Sequence, residues 1–154
     1  MENRIQTEVR VTVLLGIVRQ LMATREAKLF AGRSLNPSQF GVLNHFTHHP
    51  KRSWTVTDLA QVMEMNQPGI TKIVNTLLDR GLLKAHSDTE DKRRRHLLIT
   101  NQGLKLCDET LTALLPDIAH TLGSWDDSEL SQLHQHMEKL MHWLDEHRDD
   151  ILRT

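Results

Sequence analysis

Three consecutive arginines, Arg93, Arg94 and Arg95, close a charged stretch that starts at Ser87 and also holds Asp88, Glu90, Asp91 and Lys92. Guanidinium groups bind phosphate and enter the narrow, electronegative minor groove of DNA. Asp91 stands two residues before Arg93, so its carboxylate can brace that guanidinium and reduce the entropy lost on docking. A second set of residues lies upstream. On a helical wheel of about 100° per residue, Ile70, Ile73, Val74, Leu77 and Leu78 gather on one side of the segment Gln67 to Arg80. Pro68, Thr71, Lys72, Asn75 and Thr76 lie opposite. Asn and Lys can read base edges, and Thr can meet a thymine methyl or a phosphate. No acid interrupts this face in its first two turns, where an acid would repel phosphate. Taken alone, the same face reads equally well as ordinary solvated surface.

Other chemistries find less support. His45 and His49 are four apart on one helix, as are Glu138 and His142, and either pair could share an ion. No Cys-x-x-Cys or His-Glu-x-x-His frame accompanies them, so neither a metal nor another cofactor is expected. His45 and His49 remain candidates for lining a small-molecule pocket or for structural roles. Cys107 is the only cysteine and lies in an apolar helical pattern, which suits a buried, unreactive thiol. No nucleophile elbow, phosphate loop or paired-carboxylate constellation is present, and an enzyme is not expected.

The elements that carry these residues are mainly helical. Ile5, Val9, Val13, Ile17 and Leu21 recur in steps of four and predict a helix over 5–31, with Gly32 as its C-cap. Its apolar face is wider than one neighbour requires. Asn36, Pro37 and Gln39 open a second helix with a capping-box pattern. Phe40, Val42, Leu43 and Phe46 form its buried side, and Pro50 stops it near His49. Thr55 with Asp58 caps a third helix whose apolar side is Leu59, Ala60, Val62 and Met63. The helix from Gln67 follows and ends at Gly81, a position suited to positive φ. Strands are predicted at Leu82–His86 and His96–Thr100, with a further short one around Trp54.

Two short helices joined by a tight turn, then a hairpin with a cationic tip, make a winged helix-turn-helix. From Thr100 or Asn101 a long helix runs through Pro116 to a break at Gly123-Ser124. Asp126 and Glu129 cap a last helix, where Leu130, Leu133, Met137, Leu140 and Leu144 alternate steps of three and four, as in a coiled-coil seam. The expected fold is therefore mainly α with a small β-hairpin wing, one domain over residues 1–154. Residues 36–100 form the DNA-binding lobe. Residues 1–35 and 101–154 supply dimerisation helices, including Ile5 and Val9 at one end and the Leu130–Leu144 seam at the other. Packing within one chain is the alternative use of those apolar faces.

Composition agrees once it is divided. The net charge is -1, yet residues 1–100 hold fifteen basic and nine acidic side chains, a net +6. Residues 101–154 hold four and eleven, a net −7. Local charge governs phosphate contact, so the neutral total does not argue against a nucleic-acid partner. No apolar run approaches the ~20 residues of a membrane span. One cysteine and no evident signal peptide point to the cytoplasm.

These residues resemble the MarR family, the multiple-antibiotic-resistance regulators. The wing motif of that family is similar to Asp91-Lys92-Arg93, then Leu97-Leu98-Ile99-Thr100 and Gly103. Thr55-Val56-Thr57-Asp58-Leu59-Ala60 resembles its upstream pattern. Gln67-Pro68-Gly69-Ile70-Thr71-Lys72, with Leu77 and Arg80-Gly81-Leu82-Leu83, resembles its recognition helix. The Gln-Pro-small run with its cation is similar to the SlyA-like branch. The resemblance spans roughly residues 10–145 and implies a sequence-specific DNA-binding transcriptional regulator, expected to be a ligand-responsive repressor. It implies a homodimer on palindromic double-stranded DNA, with helices from both chain ends interlocking. By the same resemblance Gln67, Pro68, Gly69, Thr71, Lys72 and Asn75 read the major groove, and Thr55 is a further DNA-binding candidate. Arg93 enters the minor groove with Asp91 orienting it; Arg94 and Arg95 are further DNA-binding candidates, with simple solvation as the alternative for either. Small phenolic or anionic effectors are the implied ligands. A winged helix that docks protein instead of DNA is the alternative reading.

Overall fold

The computed structural model describes residues 3–152 of the chain. Six helices and two strands follow in the order α1 Arg4–Phe30, α2 Pro37–Thr47, α3 Val56–Val62, α4 Gln67–Asp79, β1 Leu83–Ser87, β2 Arg95–Ile99, α5 Asn101–Leu122 and α6 Asp127–Glu146. The chain divides into two compact units, and the boundary between Ala113 and Leu114 falls within α5.

The first unit is built on side-chain caps. Asn36 Oδ1 accepts from Gln39 N at 2.8 Å while Gln39 Oε1 accepts from Asn36 N at 3.1 Å, so two orphan donors of α2 are satisfied reciprocally. Thr55 and Asp58 do the same for α3, each bond 3.1 Å long. Asn66 caps α4 through Gly69 N at 2.7 Å. Each cap contributes about 1 kcal/mol and, more usefully, fixes where a short helix begins.

One apolar core joins these helices to the hairpin. Leu35, Leu43, Phe46, Leu59, Ile70, Val74, Leu77 and Leu97 are buried and pack with Trp54, Leu82 and Ile99. Each such side chain stabilises the fold by about 1.5–3 kcal/mol through removal from water. β1 and β2 are antiparallel, with Leu83 opposite Ile99 and Ser87 opposite Arg95. Trp54 adds a single bridge on the other side of β2, exchanging backbone hydrogen bonds of 3.0 and 2.8 Å with Leu97.

Several boundaries move from expectation. The strands lie one residue later at β1 and one earlier at β2, because Leu82 N is drawn back to Leu77 O at 2.9 Å and closes α4. Helix α2 ends at Thr47, with His48 as cap and His49 beyond it. Ala31 caps α1, and Gly32 follows at φ 76°. Val62 does not join the core: it is 39% exposed, while Leu59 is buried on the inward face of α3 and Val56, Ala60 and Met63 pack against the core beside it.

Helix α1 starts from Asn3, whose side chain accepts from Ile5 N. Phe30 is its one buried residue, against Phe40 of α2 at 5.5 Å between ring centroids. Along the rest of it Ile5, Val9, Val13, Ile17 and Leu21 are all exposed. In the second unit Asp126 and Glu129 form the expected capping box at the start of α6. No residue of α6 is buried, and Leu133, Met137, Met141 and Leu144 stand exposed on it. Pro116 lies inside α5, which runs on to Leu122. No helix among the described residues is long and apolar enough to cross a membrane.

Candidate nucleic-acid interface

Helix α4 is held on its inner side by Ile70, Val74 and Leu77, and this forces Gln67, Pro68, Thr71, Lys72 and Asn75 outward. Glu64, at φ 52°, makes the sharp turn out of α3 that brings the two helices together. Gln67 Nε2 then donates to Thr57 Oγ1 at 2.7 Å, which ties the first turn of α4 to that of α3. Thr71 and Thr76 donate their hydroxyl protons to the carbonyls of Gln67 and Lys72, at 2.8 and 3.1 Å. Gly69 is half-buried beneath this surface. Thr55 is buried, and its Oγ1 accepts from Asp58 N, so its side chain serves the α3 cap and lies beneath the outer face.

At the C-terminal end, Gly81 adopts φ 68°, the left-handed geometry that releases the chain into β1. Thr100 locks this corner. Its Oγ1 lies 2.7 Å from Gly81 O and 3.1 Å from Leu82 O as donor, and accepts from Gly103 N at 3.0 Å. One hydroxyl thus joins the end of α4, the foot of the hairpin and the first turn of α5.

The hairpin tip is exposed yet internally bonded. Asp88 Oδ1 accepts from the amides of Glu90 and Asp91 at 2.8 and 3.3 Å, and Asp88 Oδ2 meets His96 Nε2 at 2.7 Å. The His96 bond, then those two amides, holds the Asp88 carboxyl down to about 2. His96 Nδ1 also lies 3.5 Å from Ser53 Oγ, and its ring stacks on His86 across the strand pair at 5.3 Å. Asp91 Oδ1 accepts from Arg93 N at 3.0 Å and sits 3.6 Å from Arg93 Nε. The brace read from the sequence is therefore present, while the Arg93 side chain is 94% exposed. Such a pair contributes little to stability in water, about 0–1 kcal/mol. Its effect is to bias where the guanidinium points. Arg94 and Arg95 are exposed beside it. At the base of the wing the Arg52 guanidinium lies 3.9 Å from the centre of the Trp54 ring, adding a further cation.

His45 and His49 fall on different terms. His45 is half-buried with its ring edge against Trp54, 4.4 Å between centroids, and His49 is exposed. Burial, then the nearby His48, Arg52 and His49 charges, pushes the His45 imidazole below its usual range. His45 Nε2 and Trp54 Nε1 are both buried without a hydrogen-bond partner. Cys107 is buried, its Sγ directed at Asn44 Oδ1, and burial raises its thiol pKa. No group of three or more His, Cys, Asp or Glu side chains suited to a metal ion occurs among the described residues.

This arrangement is an outward helix on a helix-turn-helix, a locked corner and a cationic wing. Its sequence carries a family pattern from the loop before α2 to the wing tip. Residues 33–94 match the MarR family. Over 94 residues, 59% of the chain, it is 30% identical to the HTH-type transcriptional regulator PetP of Rhodobacter capsulatus, and the match spans 57% of that relative's length. The fold is that of MarR structures. It superposes with TM-score 0.77 and 19% identity on a MarR family protein from Bacillus stearothermophilus, covering 93% of this chain and 99% of the other. It superposes with TM-score 0.71 and 16% identity on a mutant MarR from E. coli complexed with operator DNA, covering 90% and 99%.

Proposed function

We propose that this chain is a sequence-specific DNA-binding transcriptional regulator that works as a homodimer on a palindromic operator. The observation that carries the proposal is the pairing of an outward face on α4, with no acid in its first two turns, with Arg93, braced by Asp91 and projecting from the wing. Helix α4 fits the major groove, and Arg93 the minor groove beside it. PetP, named as a transcriptional regulator, and the MarR chain seen with operator DNA support the same reading.

A dimer accounts for the apolar faces. The exposed rows of α1 and of α6 each require cover, and a second copy of the chain supplies it. Repression follows when such a dimer occupies a promoter. A phenolic or anionic effector would bind near His45 and His49 and shift the dimer between states of different DNA affinity. The Gln67-Pro68-Gly69 run with Lys72 supports assigning the chain to the SlyA-like branch within this proposal. The activity is binding without catalysis, and the setting is the cytoplasm.

Fluorescence anisotropy with the duplex upstream of the chain's own coding sequence tests this. Specific binding that weakens steeply with added salt supports it. Equal affinity for that duplex and for random DNA, or no binding at low salt, refutes it.

A further inference from the structure

Building on the DNA-binding reading above, we infer that α4 is written for A·T base pairs. Gln67 and Asn75 each take adenine, Thr71 takes a thymine methyl, and Lys72 is the one side chain on that face suited to guanine.

The hydrogen-bonding inventory of the face gives the reason. In the major groove adenine shows an acceptor beside a donor, and guanine shows two acceptors. A planar amide with one free N–H beside one free oxygen complements adenine and meets only half of guanine. Gln67 is in that state: Nε2 gives one hydrogen to Thr57 Oγ1 at 2.7 Å, which leaves one N–H and Oε1. Thr57 thereby acts as a positioning residue for the amide plane. The Asn75 side chain is exposed two turns further along, with no hydrogen bond to the described residues. Thr71 uses its one proton on Gln67 O, so what remains toward a base is its methyl group and lone pairs.

Guanine is most often read by arginine. The exposed face of α4 has none, and Arg80 at its C-cap donates Nη1 to Ser34 O at 2.6 Å. Arg93 adds to the same preference, because narrow minor grooves are a property of A·T tracts.

The test is selection from a random duplex library with the full chain, followed by sequencing. The wild-type protein is expected to enrich a palindrome with A·T pairs at the positions read by Gln67, Thr71 and Asn75. Asn75→Ala should reduce discrimination at one position per half-site by about tenfold to a hundredfold. Asn75→Arg should move that position to guanine, and Thr57→Val should relax only the position read by Gln67. Asn75 is exposed, so these variants keep the fold, and circular dichroism checks this. A wild-type motif with G·C at those positions, or an unchanged motif from both Asn75 variants, overturns the inference and leaves the DNA-binding reading standing. No enriched motif at all overturns both.

Discussion

Gly103→Ala separates helix propensity from packing, because the two predict opposite signs. Gly103 lies in the first turn of α5, where alanine would ordinarily favour the helix by about 1 kcal/mol. A Cβ there, however, would sit 2.2 Å from Leu82 O and 2.9 Å from Ile99 Cγ1. Ordinary contact needs a further ångström or so, and Leu82 O is not free to retreat. It accepts from Thr100 N and from Thr100 Oγ1, both at 3.1 Å. Breaking these bonds costs about 1 kcal/mol each, and displacing buried Ile99 costs a further ~1–3 kcal/mol. The net expectation is a loss of about 2–4 kcal/mol, a large share of the ~5–15 kcal/mol that holds a domain together. Urea denaturation followed by circular dichroism reads this as a lower midpoint at unchanged slope. Operator affinity should fall as well, since the same carbonyl anchors the wing to α4. A Gly103→Ala protein as stable as the parent, or more stable, would refute the packing argument and show that the corner relaxes freely.

Three further outcomes are expected. Arg93→Ala should weaken operator binding by about 1–3 kcal/mol and flatten the salt dependence by about one counterion, with the oligomeric state unchanged by sedimentation. The Asp88 carboxyl is depressed by His96 and two tip amides, so its contribution to wing order is full above the usual carboxylate range and is lost as pH falls through about 2. An acid titration of the Glu90 amide by NMR should follow that course, and Asp88→Asn should abolish it. Leu133→Asp places a charge within the exposed apolar row of α6 and should shift the dimer to monomer and remove operator binding together; a sedimenting dimer of this variant would show that the row lies outside the interface.

The parts of the fold legible in the sequence are those set by neighbours along the chain. Asn36 with Gln39, Thr55 with Asp58 and Asp126 with Glu129 announce their helices, because a capping box is complete within four residues. Gly81 announces its turn for a similar reason, since only its own backbone is at issue. The Asp91–Arg93 brace is equally local. What escaped depends on partners far apart in sequence. Arg80 with Ser34 spans 46 residues, and His96 with Ser53 spans 43. Gly103 was visible as part of a motif, but the reason a side chain is barred there is the Leu82 carbonyl, which only the folded corner brings near. The apolar pattern of α3 also placed Val62 with Leu59, Ala60 and Met63, yet Val62 stays exposed because the pattern does not show which of these side chains a distant neighbour covers.

Hydroxyl-radical footprinting of the selected operator tests the two-winged dimer most directly. Two protected minor-groove patches are predicted, related by the operator's two-fold axis and flanking half-site centres about 10 base pairs apart, both erased by Arg93→Ala. A single patch, or protection that persists in Arg93→Ala, would contradict it.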